Sequence, residues 1–227
     1  MKKFFIVTFA AMAATTSFAQ LSLGVQGTGN LSDAKIESID GFDFNKKSRV
    51  LPGAGLVAEY RFSPHITLRS GINYQQSGSK METTLPGMDG GIEQIKIVSK
   101  GQFDYFQVPV NVLFTTGGSG LKLFAGGGGY FSYAGSGKSK QETTYKFDDG
   151  TSETEKEELD PFEKDDEGNS AFKRTDYGVS ALAGIKFGNL FANVGYQFSL
   201  ANISKTEGTK YNNRGLQLTI GYYFFGR

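Results

Sequence analysis

Polar and apolar residues alternate along most of the chain after the first twenty positions, and a period of two marks strands with unlike faces. Leu190, Ala192, Val194, Tyr196, Phe198 and Leu200 share one face of a stretch whose other face carries Asn193, Gly195, Gln197 and Ser199. Leu216, Leu218, Ile220, Tyr222 and Phe224 likewise oppose Gly215, Gln217, Thr219 and Gly221. Ala54, Leu56, Ala58 and Tyr60 alternate with Gly53, Gly55, Glu59 and Arg61, while Ile66, Leu68, Ile72 and Tyr74 alternate with Thr67, Arg69, Gly71, Asn73 and Gln75. Extended outward, the pattern predicts eight strands at 21–30, 51–62, 66–76, 102–115, 121–133, 176–187, 190–201 and 214–225.

The connections are of two kinds. Ser63-Pro64-His65, Thr116–Gly120 and Gly188-Asn189 are tight turns made of turn-forming residues. Residues 31–50, 77–101, 134–175 and 202–213 are long and polar. Short and long alternate strictly, which predicts an all-β, eight-stranded antiparallel up-and-down transmembrane barrel with short periplasmic turns and long extracellular loops. An even strand count places both termini of the mature chain in the periplasm. Closure follows from the solvent, because an open sheet edge in lipid strands backbone groups at several kcal/mol each. Aromatic belts at headgroup depth are expected from Tyr60 and Phe62, from Tyr74, Tyr130, Phe131 and Tyr133, and from Tyr222 to Phe225. A soluble lipocalin-like ligand-binding barrel would alternate in the same way. Strand length, the alternation of connections and a polar inner face with Glu59, Arg61, Arg69, Asn73, Lys186 and Gln197 favour the membrane barrel.

The N-terminus changes the destination of the chain. Lys2 and Lys3 precede the apolar run Phe4–Ala14, and Ser17-Phe18-Ala19 has the small-x-small form of a cleavage site. Residues 1–19 therefore read as a cleaved signal peptide and 20–227 as one barrel domain. Without the two lysines, 22 Lys and Arg face 23 Asp and Glu, a formal charge of −1. That balance argues against nucleic acid as a partner. The absence of cysteine removes disulfides, thiolate metal sites and a cysteine nucleophile together.

Candidate chemistry concentrates in the lumen. Inward glycines (24, 53, 55, 71, 178, 184, 195 and 221) make room for long side chains, and Glu59, Arg61, Arg69, Lys122 and Lys186 are the candidate charge network. An eight-stranded barrel is just wide enough for side chains to fill it, so the network reads as a plug, with a narrow gated pore as the alternative. The 134–174 segment holds twelve of the 23 acidic residues and reads as a mobile, solvated loop. Asp165, Asp166 and Glu167 within it invite a calcium reading, but they lack the alternate-residue ligand spacing of an EF-hand. The first two long loops read as hairpins that could continue the barrel outward. The single histidine, His65, lies in a short turn, so a barrel hydrolase or acyltransferase lacks its base. No enzyme activity and no cofactor are expected.

Asp104-Tyr105-Phe106-Gln107-Val108-Pro109-Val110-Asn111-Val112-Leu113 resembles the "Tyr-Leu-x-Ile-Pro-Leu" strand of the PorT-like outer-membrane β-barrel family of Gram-negative bacteria. The following Phe124-Ala125-Gly126-Gly127-Gly128-Gly129-Tyr130 is similar to that family's glycine-rich strand. The resemblance implies an outer-membrane barrel with Tyr105, Gln107, Pro109 and Asn111 facing inward. One branch of the family serves type IX secretion, and most members have no assigned activity. Pro109, lacking an amide, predicts a bulge or a tolerated break in its strand. Expected partners are outer-membrane lipids and lipopolysaccharide, the barrel-assembly machinery, and an extracellular or envelope protein met by the loops. The expected role is structural or recognition through those loops; the alternative is a pore or accessory component of secretion.

Overall fold

The computed structural model describes residues 20–37, 45–87, 91–118, 120–163 and 170–226. The expected leader at 1–19 lies outside them. Among the described residues, eleven strands form one antiparallel sheet: β1 (Leu21–Glu37), β2 (Asn45–Lys47), β3 (Arg49–Arg61), β4 (Ile66–Ser77), β5 (Lys80–Pro86), β6 (Ile92–Thr115), β7 (Leu121–Phe147), β8 (Ser152–Leu159), β9 (Thr175–Phe187), β10 (Leu190–Ser199) and β11 (Lys210–Phe225). Eight of them close a ring in the order β1-β3-β4-β6-β7-β9-β10-β11, with β11 returning to β1. These eight correspond to the eight spans read from the alternation. Closure satisfies both edges of every ring strand, as a lipid environment demands.

The alternation resolves into outside and inside. Outward positions are apolar and exposed on every side of the ring, as at Leu56, Ile72, Val110, Leu123, Ile185, Val194 and Ile220. Inward positions are polar and buried, including Glu59, Arg69, Gln107, Asn111, Asn193 and Thr219. This is the reverse of a soluble barrel with an apolar cavity. Tight turns join the strands at one rim, where Gly120 and Gly188 take positive φ that other residues would adopt only under strain.

Three expectations need correction. Much of the supposed mobile loop 134–175 is sheet, since β7 runs on to Phe147 and β8 pairs with it from Ser139↔Leu159 to Lys146↔Ser152. Its alternation is polar on both faces, so hydrophobic periodicity passes over it. Together β2, β5, the distal half of β6, the distal half of β7 and β8 form a five-stranded fin above the long-loop rim. Second, Tyr130 and Tyr223 do not join the aromatic belts; both point inward and are buried, while Tyr74, Phe106, Phe131 and Tyr133 stay outside. Third, Pro109 produces no bulge: β4 and β6 keep one register across it, from Asn73↔Gln107 to Ser70↔Val110, with a gap in pairing between. The β6–β7 pairing shifts register elsewhere, at Asp104/Tyr105, where β7 carries the extra residue Gly135, and at Ile92/Gln94, where β6 carries Glu93.

Candidate functional site

The lumen is filled in three tiers. Nearest the short turns, β3, β4 and β9 bring Glu59, Arg69 and Lys186 together. Arg69 Nε donates to Glu59 Oε1 at 2.8 Å, and Lys186 Nζ reaches Glu59 Oε2 at 3.1 Å. The guanidinium also donates to Asn193 Oδ1 at 3.2 Å and lies 4.5 and 4.6 Å from the ring centres of Phe124 and Phe191. Lys186 sits 4.2 Å over Tyr223. Stacked cations of this kind gain a cation–π term that grows as water is excluded. Room for the rings comes from glycine: a Cβ on Gly221 would stand 2.2 Å from Phe191 Cζ, and one on Gly184 would stand 2.7 Å from Phe124 Cζ. Arg61 and Lys122 line the mouth beside Lys186, around an open cavity of about 610 Å³, and their side chains make no ion pair among the described residues.

The middle tier is neutral and amide-rich. Gln26 donates to Asn73 (2.8 Å), Gln217 donates to Gln75 (2.9 Å), and Gln107 and Gln197 exchange bonds of 3.2 Å. Ser180 donates to Asn111 Oδ1 at 2.7 Å. Pro109 lies in the same inward phase, and its carbonyl accepts from Ser70. The residual cavity here is about 50 Å³, room for a few water molecules.

Towards the long loops, Asp176 accepts from Ser199 and from Asn213, and Asn213 also donates to the Tyr105 hydroxyl. An aromatic cap closes over them. Phe103 has the rings of Tyr105, Phe162, Phe172 and Tyr211 at 5.1 to 6.1 Å, and Ile203 is fully buried beside them. Arg174 lies 4.4 Å over Phe162 and donates to the carbonyls of Ala134 and Gly135, pinning that loop down. The alternation of polar and apolar residues does not disclose this cap, because its members come one at a time from separate polar stretches. Tyr105, Gln107 and Asn111 are the legible part, since their strand phase alone points them inward.

Chemistry beyond packing has few carriers. His65 is exposed in its turn, with Nδ1 3.1 Å from the Thr115 carbonyl and its ring stacked on Phe114. The Ser63 hydroxyl in the same turn accepts from the backbone amides of His65 and Ile66 rather than bonding the ring. Asp165, Asp166 and Glu167 lie outside the described residues. On the fin, Lys47 and Lys80 grip Glu82 at 2.7 and 2.6 Å and hold its carboxyl down at about 2. Lys140 holds that of Glu158 below its ordinary value in the same way.

A family model described as "outer membrane protein beta-barrel domain" matches residues 17–205. Among curated proteins, no sequence match is found. Among solved structures, the chain is similar to Ail, the attachment invasion locus protein of Yersinia pestis, at 16% identity over 88% of this chain and 99% of that one, with a TM-score of 0.34. It is similar to Neisserial surface protein A at 15% identity over 90% and 99%, TM-score 0.34. It is similar to OprG from Pseudomonas aeruginosa at 12% identity over 91% and 95%, TM-score 0.39.

Proposed function

The chain belongs to the outer membrane protein beta-barrel domain family, and from that premise we propose that it is a closed, non-enzymatic outer-membrane barrel that acts through its long-loop rim. The observation that carries this reading is the occupied lumen. An ion-paired aromatic tier, an amide tier and an aromatic cap follow one another along the axis, and the cavities between the described residues there measure about 50, 30 and 20 Å³. A hydrated solute has no path past Phe103, Phe162 and Tyr211 on one side and the Glu59–Arg69–Lys186 cluster on the other.

On this reading the long loops lie outside the cell and both termini in the periplasm, after export by the leader. Lipopolysaccharide and outer-membrane lipids surround the apolar belt, and the barrel-assembly machinery inserts it. An extracellular or envelope partner meets the fin. The Asp104–Leu113 strand favours placement in the PorT-like branch. Among the described residues the His65 ring meets the Thr115 carbonyl rather than an acid, which supports a non-enzymatic role. Planar-bilayer recording of the purified protein tests the reading: no discrete openings are expected, and reproducible unitary conductance would overturn it in favour of a pore. Whole-cell protease shaving checks the topology; cleavage is expected between 148 and 151 at the fin tip in intact cells.

A further inference from the structure

We infer that the outward side of the fin is a docking surface for the phosphorylated saccharide of the outer-leaflet glycolipid. This deepens the preceding reading and rests on its orientation, with the long loops outside. The register aligns Lys47↔Lys80, Lys80↔Lys100 and Lys100↔Lys140, so four ammonium groups lie directly opposite one another across β2, β5, β6 and β7. Adjacent strands are about 4.8 Å apart, so the row spans about 15 Å. Like charges placed directly opposite destabilise a sheet, so a row of four gains from an anion shared along it.

The protein's own carboxylates answer it only in part. Glu82 is shared by Lys47 and Lys80, and Glu158 is shared by Lys138 and Lys140. Glu142 holds Lys100 and Glu93 holds Lys146, while Lys96 and Lys156 have no ion pair among the described residues. Eight lysines therefore face four glutamates. The opposite side of the same sheet is acidic: Glu153, Glu155 and Glu157 follow in alternate positions of β8, next to Ile95, Ile97 and Tyr145. Val98, on the lysine side between Glu82 and Glu142, is only 9% exposed.

Position selects the occupant. Strand β6 has one extra residue opposite β7, Glu93, and none from Gln94 to Thr115, so its even-numbered residues face one way along that length. Phe114, Val112, Val110, Val108 and Phe106 are the lipid-facing belt, and Lys100 and Lys96 continue that face above it. The aromatic row Tyr74–Phe106–Tyr133 marks the belt's upper limit. From Phe106 to Lys100 is six residues, about 20 Å along the strand and about 15 Å in height at the usual tilt. A headgroup layer is only about 5–8 Å thick on each side. The lysine row stands above lipid phosphates, faces sideways, and meets the carbohydrate that rises from the leaflet. A flat row of evenly spaced cations suits a chain bearing several phosphates.

The test is a binding titration of the full chain, folded in neutral nanodiscs, with the deacylated, phosphorylated saccharide of lipopolysaccharide. Saturable, salt-sensitive binding is expected. The triple variant K80Q/K100Q/K140Q should bind about tenfold more weakly, because it removes three exposed ammonium groups from the row at once. E153Q/E155Q/E157Q, on the other side, should stay within about twofold. Absent binding, equal binding by the lysine variant, equal binding of the dephosphorylated saccharide, or binding that appears only with phosphatidylglycerol in the disc would each overturn the inference. Heat-modifiable gel migration certifies that the variants are folded. In the ligand-free protein, Lys100→Gln should raise hydrogen-exchange protection in β5 and β6 by relieving the row; lowered protection would instead make the lysines structural. A conducting channel in bilayers would defeat the closed-barrel reading while leaving this titration to decide separately.

Discussion

Strands β6 and β7 cross two solvents, and the two halves of each obey opposite rules. In the ring, from Phe103 to Thr115, outward residues are apolar and the lumen holds buried charges in a fixed geometry. In the fin, from Ile92 to Gly101, the same outward face carries lysines whose ion pairs lie open to water. Lipid makes an unpaired polar group costly, so the ring concentrates its polarity inside and satisfies it. Water screens charge, so the fin can leave Lys96 and Lys156 without a glutamate among the described residues. One backbone thus carries both a membrane wall and a charged surface, and each is open to perturbation in proportion to the dielectric around it.

The sharpest contrast is between two glutamates that each hold two cations. Glu59→Ala leaves Arg69 and Lys186 without their anion in a low-dielectric lumen and is expected to cost about 3–5 kcal/mol. Glu158→Ala, which releases Lys138 and Lys140 at the water-exposed fin, is expected to leave the unfolding midpoint almost unchanged. Urea unfolding in lipid vesicles measures both, and comparable losses would erase the distinction. A second contrast uses one face of β6 and its neighbour. Val110→Arg puts a charge in the apolar belt and should destabilise insertion by about 2–4 kcal/mol. Thr144→Arg, outward on the fin, should leave the folding equilibrium within about 0.5 kcal/mol.

Within the ring, the third contrast is steric. Gly221→Ala drives a methyl group into the Phe191 ring beneath Arg69 and is expected to cost about 1–3 kcal/mol. Gly27→Ala faces open space and should be neutral. A ring that simply swung away would make the two variants alike, and thermal loss of the heat-modifiable band separates these outcomes.

These contrasts also mark what could be read from the chain. The eight spans, their inward phase and the meeting of Glu59 with Arg69 follow from a period of two, because lipid outside and side chains inside impose opposite polarity on neighbouring residues. The hairpin that carries the distal half of β6 is open to reading from the second long loop, but the distal half of β7 escapes: with water on both sides, Lys138, Lys140 and Glu142 alternate with Ser139, Gln141 and Thr143, and no hydrophobic contrast remains. The cap is hidden for a different reason. Phe162, Phe172 and Ile203 are isolated apolar residues in polar segments, and only the closed ring brings them over Phe103. Tyr223 is legible yet easily misread: it shares the inward phase of Gly221, but the run of aromatics around it suggests a belt.

The smallest expected effect is the pH response of the fin. Hydrogen bonds from Lys47 and Lys80 hold the Glu82 carboxyl at about 2 in the folded sheet, against 4.5 for the free group. A carboxyl depressed on folding stabilises the fold fully only above its unfolded value, so this contribution is complete above about pH 4.5. As the pH falls, the unfolded chain takes up the proton first, and the contribution drains away until the folded group is also protonated near pH 2. Because the pair is exposed and screened, the loss should loosen β2 from β5 without opening the ring. NMR titration of the Glu82 side chain reads this directly: a midpoint near 2 is expected, and Lys47→Met should move it upward. A midpoint close to 4.5 in the wild-type protein would mean that water has already separated the pair, leaving the first link of the lysine row without an internal counter-charge.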